Sequence, residues 1–133
     1  MPDLKLAAQD AIYDLLNATP TVTDVGPVWQ HAPEELEPPY TIIGDMSASP
    51  IGGKDGGLDR IEFEILTVRR EPGREFLTPM MAAVRDTLEG AELTSADAVL
   101  SPPVFESDED DLLDDGQTYI GVQRFSLIAQ PND

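Results

Sequence analysis

Apolar positions change their period several times along the chain, and each change marks an element. Over Asp3 to Ala18, the residues Leu4, Ala8, Ala11, Ile12, Leu15 and Leu16 recur at three and four residues, which predicts an amphipathic helix. Asp3 is placed to cap its first turn, and Pro20 forbids much extension. A short strand is expected around Val25 to Trp29, at a sheet edge because Gly26-Pro27 interrupts it. His31 to Pro39 reads as a loop. Tyr40 to Asp45 is aromatic and β-branched and predicts a strand starting after Pro38-Pro39. Met46 to Leu58, with Gly52, Gly53, Gly56 and Gly57, reads as a long flexible excursion between two strands.

The clearest alternation follows. Ile61, Phe63 and Ile65 interleave with Arg60, Glu62 and Glu64, so Asp59 to Arg70 predicts a half-buried strand. The alternation blurs after Leu66, which suggests a bulge or strand end near Thr67. Glu71-Pro72-Gly73 reads as a turn. Leu77, Met81, Val84 and Leu88 then carry a second helix over Arg74 to Glu89, with Thr78-Pro79 as an alternative start and Gly90 as a left-handed cap. Strands are expected near Ala98 to Leu100 and at Val104-Phe105, split by Pro102-Pro103. Glu106 to Asp115 reads as an acidic loop, and Thr118 to Ala129 as the last strand, with Tyr119, Gly121, Gln123, Phe125 and Leu127 on one face. The Pro131-Asn132-Asp133 tail is expected to fray. This order predicts an α+β fold: a mostly antiparallel β-sheet packed against two α-helices, in a single domain over residues 1–133.

Charge changes the picture most. The chain has 26 acids against 8 bases, a formal net charge of −18. Such a field repels nucleic acid phosphate, yet suits a wall past which DNA slides without sticking. Acidity also serves solubility, in a salty cytoplasm above all. With no cysteine and one histidine, His31, thiolate zinc sites, disulfides and a multi-histidine site within one subunit are excluded. No apolar run approaches the ~20 residues of a membrane helix, and the acidic Met1-Pro2-Asp3 start does not read as a secretory signal.

Candidate chemistry is sparse. The acidic stretch offers oxygen ligands for calcium or magnesium, but Leu113 stands where a helix-loop-helix calcium loop needs an acid. Gly52-Gly53-Lys54 lacks the spacing of a phosphate-binding loop and its Lys-Ser/Thr pair. His31 has no nucleophile motif near it. Trp29 and Tyr40 could stack a base, but without basic interleaving they read as core or interface residues. Arg69, Arg70 and Arg74 form the one basic cluster, able to pair with local glutamates or with an acidic patch on a neighbour. From the residues alone, the expectation is a domain with no catalytic, cofactor or metal residues.

Six segments in order resemble the tail-terminator (tail-completion) family of siphophages, prophages and gene-transfer agents. They are the helix Ala7 to Leu16, the strand Val28 to Gln30, and Pro39-Tyr40-Thr41-Ile42-Ile43-Gly44. After a Gly-rich loop come the alternating strand Ile61 to Val68, the helix end Ala82-Ala83-Val84-Arg85-Asp86-Thr87-Leu88-Glu89-Gly90, and Asp115-Gly116 leading into a strand to Ile128. The chain departs from that pattern at Val28-Trp29-Gln30, where the family often has Arg-Ile/Val-Tyr. It departs again at Leu66-Thr67-Val68, where a tryptophan is common.

The resemblance implies a non-enzymatic virion protein, a hexameric ring that caps the head-proximal end of the tail tube. Its partners would be copies of itself, the tail-tube protein and the head connector or stopper, with DNA passing through unbound, no membrane and no cofactor. It would reside in the virion tail, assembled in the host bacterial cytoplasm. Met46, Ile51, Lys54 and Leu58 are expected on a loop that reaches a neighbouring subunit. Glu106, Asp108, Glu109, Asp110, Asp111, Asp114 and Asp115 are expected to face the DNA channel or solvent. The alternatives are another connector or tail-tube component, a divalent-metal enzyme using the acidic loop, or a halophile's binding module whose acidity is solvent adaptation.

Overall fold

The computed structural model describes residues 3–31, 35–51, 57–70 and 74–131. Helix α1 (Leu4–Asn17) opens the chain, and Asp3 caps it by accepting from the Leu6 amide at 3.0 Å. Pro20 does not merely stop that helix. It starts a second, short one, α2 (Pro20–Thr23), because proline's fixed φ suits a first helical turn. Strand β1 (Val28–Trp29) runs parallel to β2 (Tyr40–Pro50) at the sheet edge. Strand β3 (Asp59–Arg69) leads to α3 (Arg74–Leu88), then β4 (Ala98–Leu100), β5 (Val104–Leu112) and β6 (Tyr119–Pro131). The α+β expectation holds, with three helices among the described residues rather than two.

Apart from β1, every pairing is antiparallel. The sheet order is β1-β2-β3-β6-β4, and β5 also pairs β6. Strands β4 and β5 therefore lie end to end along the same side of β6, parted by Ser101, Pro102 and Pro103, which cannot all donate to a ladder. Alternation fills the core from one sheet face: Ile61, Phe63 and Ile65 of β3 with Phe125, Leu127 and Ala129 of β6, against Ala8, Ile12 and Leu16 of α1 and Val84 and Leu88 of α3. Phe63 stacks on Phe125 at 5.4 Å, and Phe105 meets Phe125 edge-on at 5.6 Å. Such ring pairs add about 0.5–1.5 kcal/mol each beyond the area they bury.

Three expectations need correction. The bulge lies in β2, between Ile43 and Met46, while β3 pairs β6 without a break through Thr67. The alternation blurs there because Val68, on the face away from the helices, is buried opposite Ile120 and Tyr40. Met46 is not in a loop: Met46 to Pro50 continue β2, held by pairing with Asp59 to Phe63. Glu106 to Leu112 is likewise not a loop but most of β5, paired along β6. Gly52, Gly53, Lys54, Asp55 and Gly56 of the expected excursion, the turn Glu71-Pro72-Gly73 and the tail residues Asn132-Asp133 lie outside the described residues.

Candidate assembly surfaces

Strand β5 carries acids on both faces of the sheet, and the register sorts them. Asp108 and Asp110 pair with Gln123 and Gly121, on the helix side. Glu109 and Asp111 pair with Val122 and Ile120, on the helix-free side. A bulge between Phe105 and Ser107 turns Glu106 the same way, where it accepts from the Ser126 hydroxyl at 2.7 Å and lies 3.7 Å from Arg60. Arg124 bridges β3 and β5 by donating to Glu64 at 3.1 Å and Glu109 at 2.8 Å. Those carboxylates, Glu109 first, hold the Arg124 guanidinium pKa above its usual value. An acidic strand pairs here because arginines on β3 and β6 offset the repulsion that its sequence alone implies.

On the helix side Asp110 accepts from Arg74 in a close ion pair that raises the arginine pKa, and Arg74 also sits over the Tyr119 ring at 5.7 Å. Arg70 donates to Thr118 at 3.2 Å and to Glu37 at 3.4 Å. Arg69 lies 5.5 Å from the Phe76 ring centre. The basic cluster is thus engaged within the subunit. Burial raises the Tyr40 phenol pKa, against the opposing charge of Arg70.

The β5–β6 turn is locked by Asp115. One carboxylate oxygen accepts from the Gln117 and Thr118 amides, both at 2.8 Å, and the other from the Thr118 hydroxyl at 2.6 Å. These bonds, the hydroxyl first, lower its pKa to about 2. Gly116 takes φ +72°, which the turn needs and side chains resist. Asp114 is exposed beside it.

One group of exposed apolar residues lies on the sheet face away from the helices. Val99, Val104 and Ile128 are about half exposed, at 48%, 56% and 43%. They share the helix-free face where β4, β5 and β6 meet. Ile51 closes the β2–β3 connection through a 2.9 Å amide bond to the Leu58 carbonyl, and Leu58 is partly exposed. Neither the open side of β5 nor β2 from Asp45 to Pro50 on the β1 side has a strand partner among the described residues. The periodicity of β6 points to its two faces. The Val99/Val104/Ile128 cluster needs the β4–β5 alignment, which no local signal carries.

His31 is exposed and stands with Tyr13, Trp29 and Gln30 around a shallow surface depression. Among the described residues, no group of three or more His, Cys, Asp or Glu is placed to hold a metal, and no helix is long and apolar enough to cross a membrane.

The family model described as tail completion protein gp17 matches residues 10–130. The chain belongs to that family. It is a structural protein of phage tails, as the six ordered segments had indicated. Its fold is similar to a chain in the virion of a native gene transfer agent particle, with TM-score 0.84 and 21% identity over 98% of this chain and 99% of that one. No curated protein matches it in sequence. Within this tail completion fold, the two open strand edges lie on different sides of the sheet, so one subunit presents two distinct surfaces.

Proposed function

We propose that this tail completion protein is a terminator. It assembles as a closed ring, six-membered by family resemblance, on the head-proximal end of the tail tube, and joins the tube to the head connector. The observation that carries this reading is the pair of open edges, at β2 and β5, on opposite flanks of one sheet. Head-to-tail rings need two different patches per subunit, one for each neighbour. Unpaired strand edges are ready templates for such contacts. The protein acts by fit and transforms no substrate, and its place is the virion tail after assembly in the host cytoplasm.

Two parts of the surface take roles in this reading. The β2–β3 connection, from Ile51 through Lys54 to Leu58, reaches the adjacent subunit, and Met46, within β2, lies on the strand that leads into it. Glu106, Glu109 and Asp111, on the helix-free face, turn toward the DNA channel, where like charge lets phosphate pass without sticking. Asp114 and Asp115, at the hairpin tip, follow the same wall.

Negative-stain microscopy of the pure protein tests the ring. Closed rings support it; long tubes mark a tail-tube protein instead, and particles that never close and never bind tubes refute it. Deletion of Ser49 to Gly57 should abolish tail–head joining, and normal joining would remove the connection's role. A ring reconstruction with β5 far from the lumen would remove the channel role.

A further inference from the structure

We infer that the cleft between α3 and β5 is a receptor for an arginine side chain presented by a partner protein. One wall is a single stripe of α3: Thr78, Met81, Ala82 and Arg85. The other is the helix-side face of β5, Asp108 and Asp110, and Gln123 of β6 lies between the two. The cleft is open to solvent and offers ≈ 290 Å³, room for a guanidinium and its stem.

Its charges do not cancel within the subunit. Asp110 is taken by Arg74. Arg85 is taken by Glu89, at 3.3 Å, and by the Phe105 ring, 3.8 Å from its guanidinium carbon. Asp108 pairs across strands with Gln123 and has no ion-pair or hydrogen-bond partner among the described residues. It is the one uncompensated charge among these side chains.

Gln123 supplies the second, independent observation. It is 1% exposed, and its amide nitrogen donates to the Met81 carbonyl at 2.9 Å. Its Oε1 is buried without a partner among the described residues. Leaving a buried acceptor unmade is costly, and native interiors rarely tolerate it. An incoming N–H donor that displaces the side chains covering it would satisfy it. Asp108 and Gln123 are opposite each other in the register and both line the cleft, so they bring a carboxylate and a carbonyl oxygen to it, two acceptors that suit the planar fork of a guanidinium. Met81 and Ala82 offer apolar surface to the aliphatic stem. A net charge of −18 also favours a cationic visitor over an anionic one. This inference stands apart from the ring reading, since it concerns the helix side of β5 and survives whichever tail component the chain proves to be.

The test is a titration of the full chain, followed by amide chemical shifts, with the peptide acetyl-Gly-Arg-Gly-amide and its citrulline counterpart. The arginine peptide should give saturable shifts confined to α3 from Thr78 to Arg85, to β5 around Asp108 and to Gln123. The citrulline peptide, equal in shape and uncharged, should give none. Asp108→Asn should weaken binding about tenfold, the usual size of a lost charge-assisted hydrogen bond. Gln123→Met, close in volume, should weaken it with the melting temperature little changed. Shifts spread over acids elsewhere, equal response to citrulline, or full binding by Asp108→Asn would each overturn the assignment. Asp108 is exposed, so that variant decides even where Gln123→Met does not fold.

Discussion

Gly121 shows how one missing side chain makes room for another, here Met81 of α3. A Cβ there would overlap the Met81 sulfur and stand 3.0 Å from its Cγ, in a site where Met81 is 7% exposed. Gly121→Ala should therefore destabilise the fold by about 1–3 kcal/mol in denaturant unfolding, the range for overpacking. In a Met81→Ala background the same change should cost at least about 0.5 kcal/mol less, because the clash is gone. Equal costs in both backgrounds would show that the crowding lies elsewhere. Gly121 and Gln123 were legible as core-face positions from the parity of β6. That Met81 closes on one and accepts a bond from the other was not, since the residues lie on elements joined only by folding.

At the scale of the element, β5 is where sequence reasoning and structure part. Seven carboxylates within Glu106 to Asp115 suggest a repelling, extended loop, and intrinsic propensity agrees. Tertiary partners reverse this: Arg60, Arg74 and Arg124 bind Glu106, Asp110 and Glu109. Amide hydrogen exchange should find alternate amides of Ser107 to Leu112 protected; uniformly fast exchange would mean the strand is not paired. The turn that follows has its own pH signature. The Asp115 carboxyl titrates lower in the fold, at about 2, than its ordinary 3.8, so the stabilisation it gives is complete above that ordinary value. It is lost as pH falls from there through about 2. Thr118 and Gln117 amide shifts should hold their native positions down to that range. Asp115→Asn should remove this acid transition and speed exchange of both amides at neutral pH.

For the whole molecule, net charge dominates. Self-repulsion at −18 opposes compaction, and screening relieves it. Raising NaCl from about 0.05 M to about 0.5 M should lift the melting temperature by roughly 5 °C, equivalent to about 1 kcal/mol at this size. A fall on adding salt would show that the surface ion pairs outweigh the repulsion. The chain's own pattern was enough to establish both long helices, the first half of β2, the strands β3 and β6, the caps at Asp3 and Gly90, and kinship with tail completion proteins. Each rests on spacing within one segment or on segment order, which are local properties. Folding alone settled the end-to-end seat of β4 and β5 on β6, the ordering of an acidic run into a strand, the two free edges and the α3–β5 cleft. Those depend on which distant residues come to lie opposite one another, and periodicity carries no record of partners.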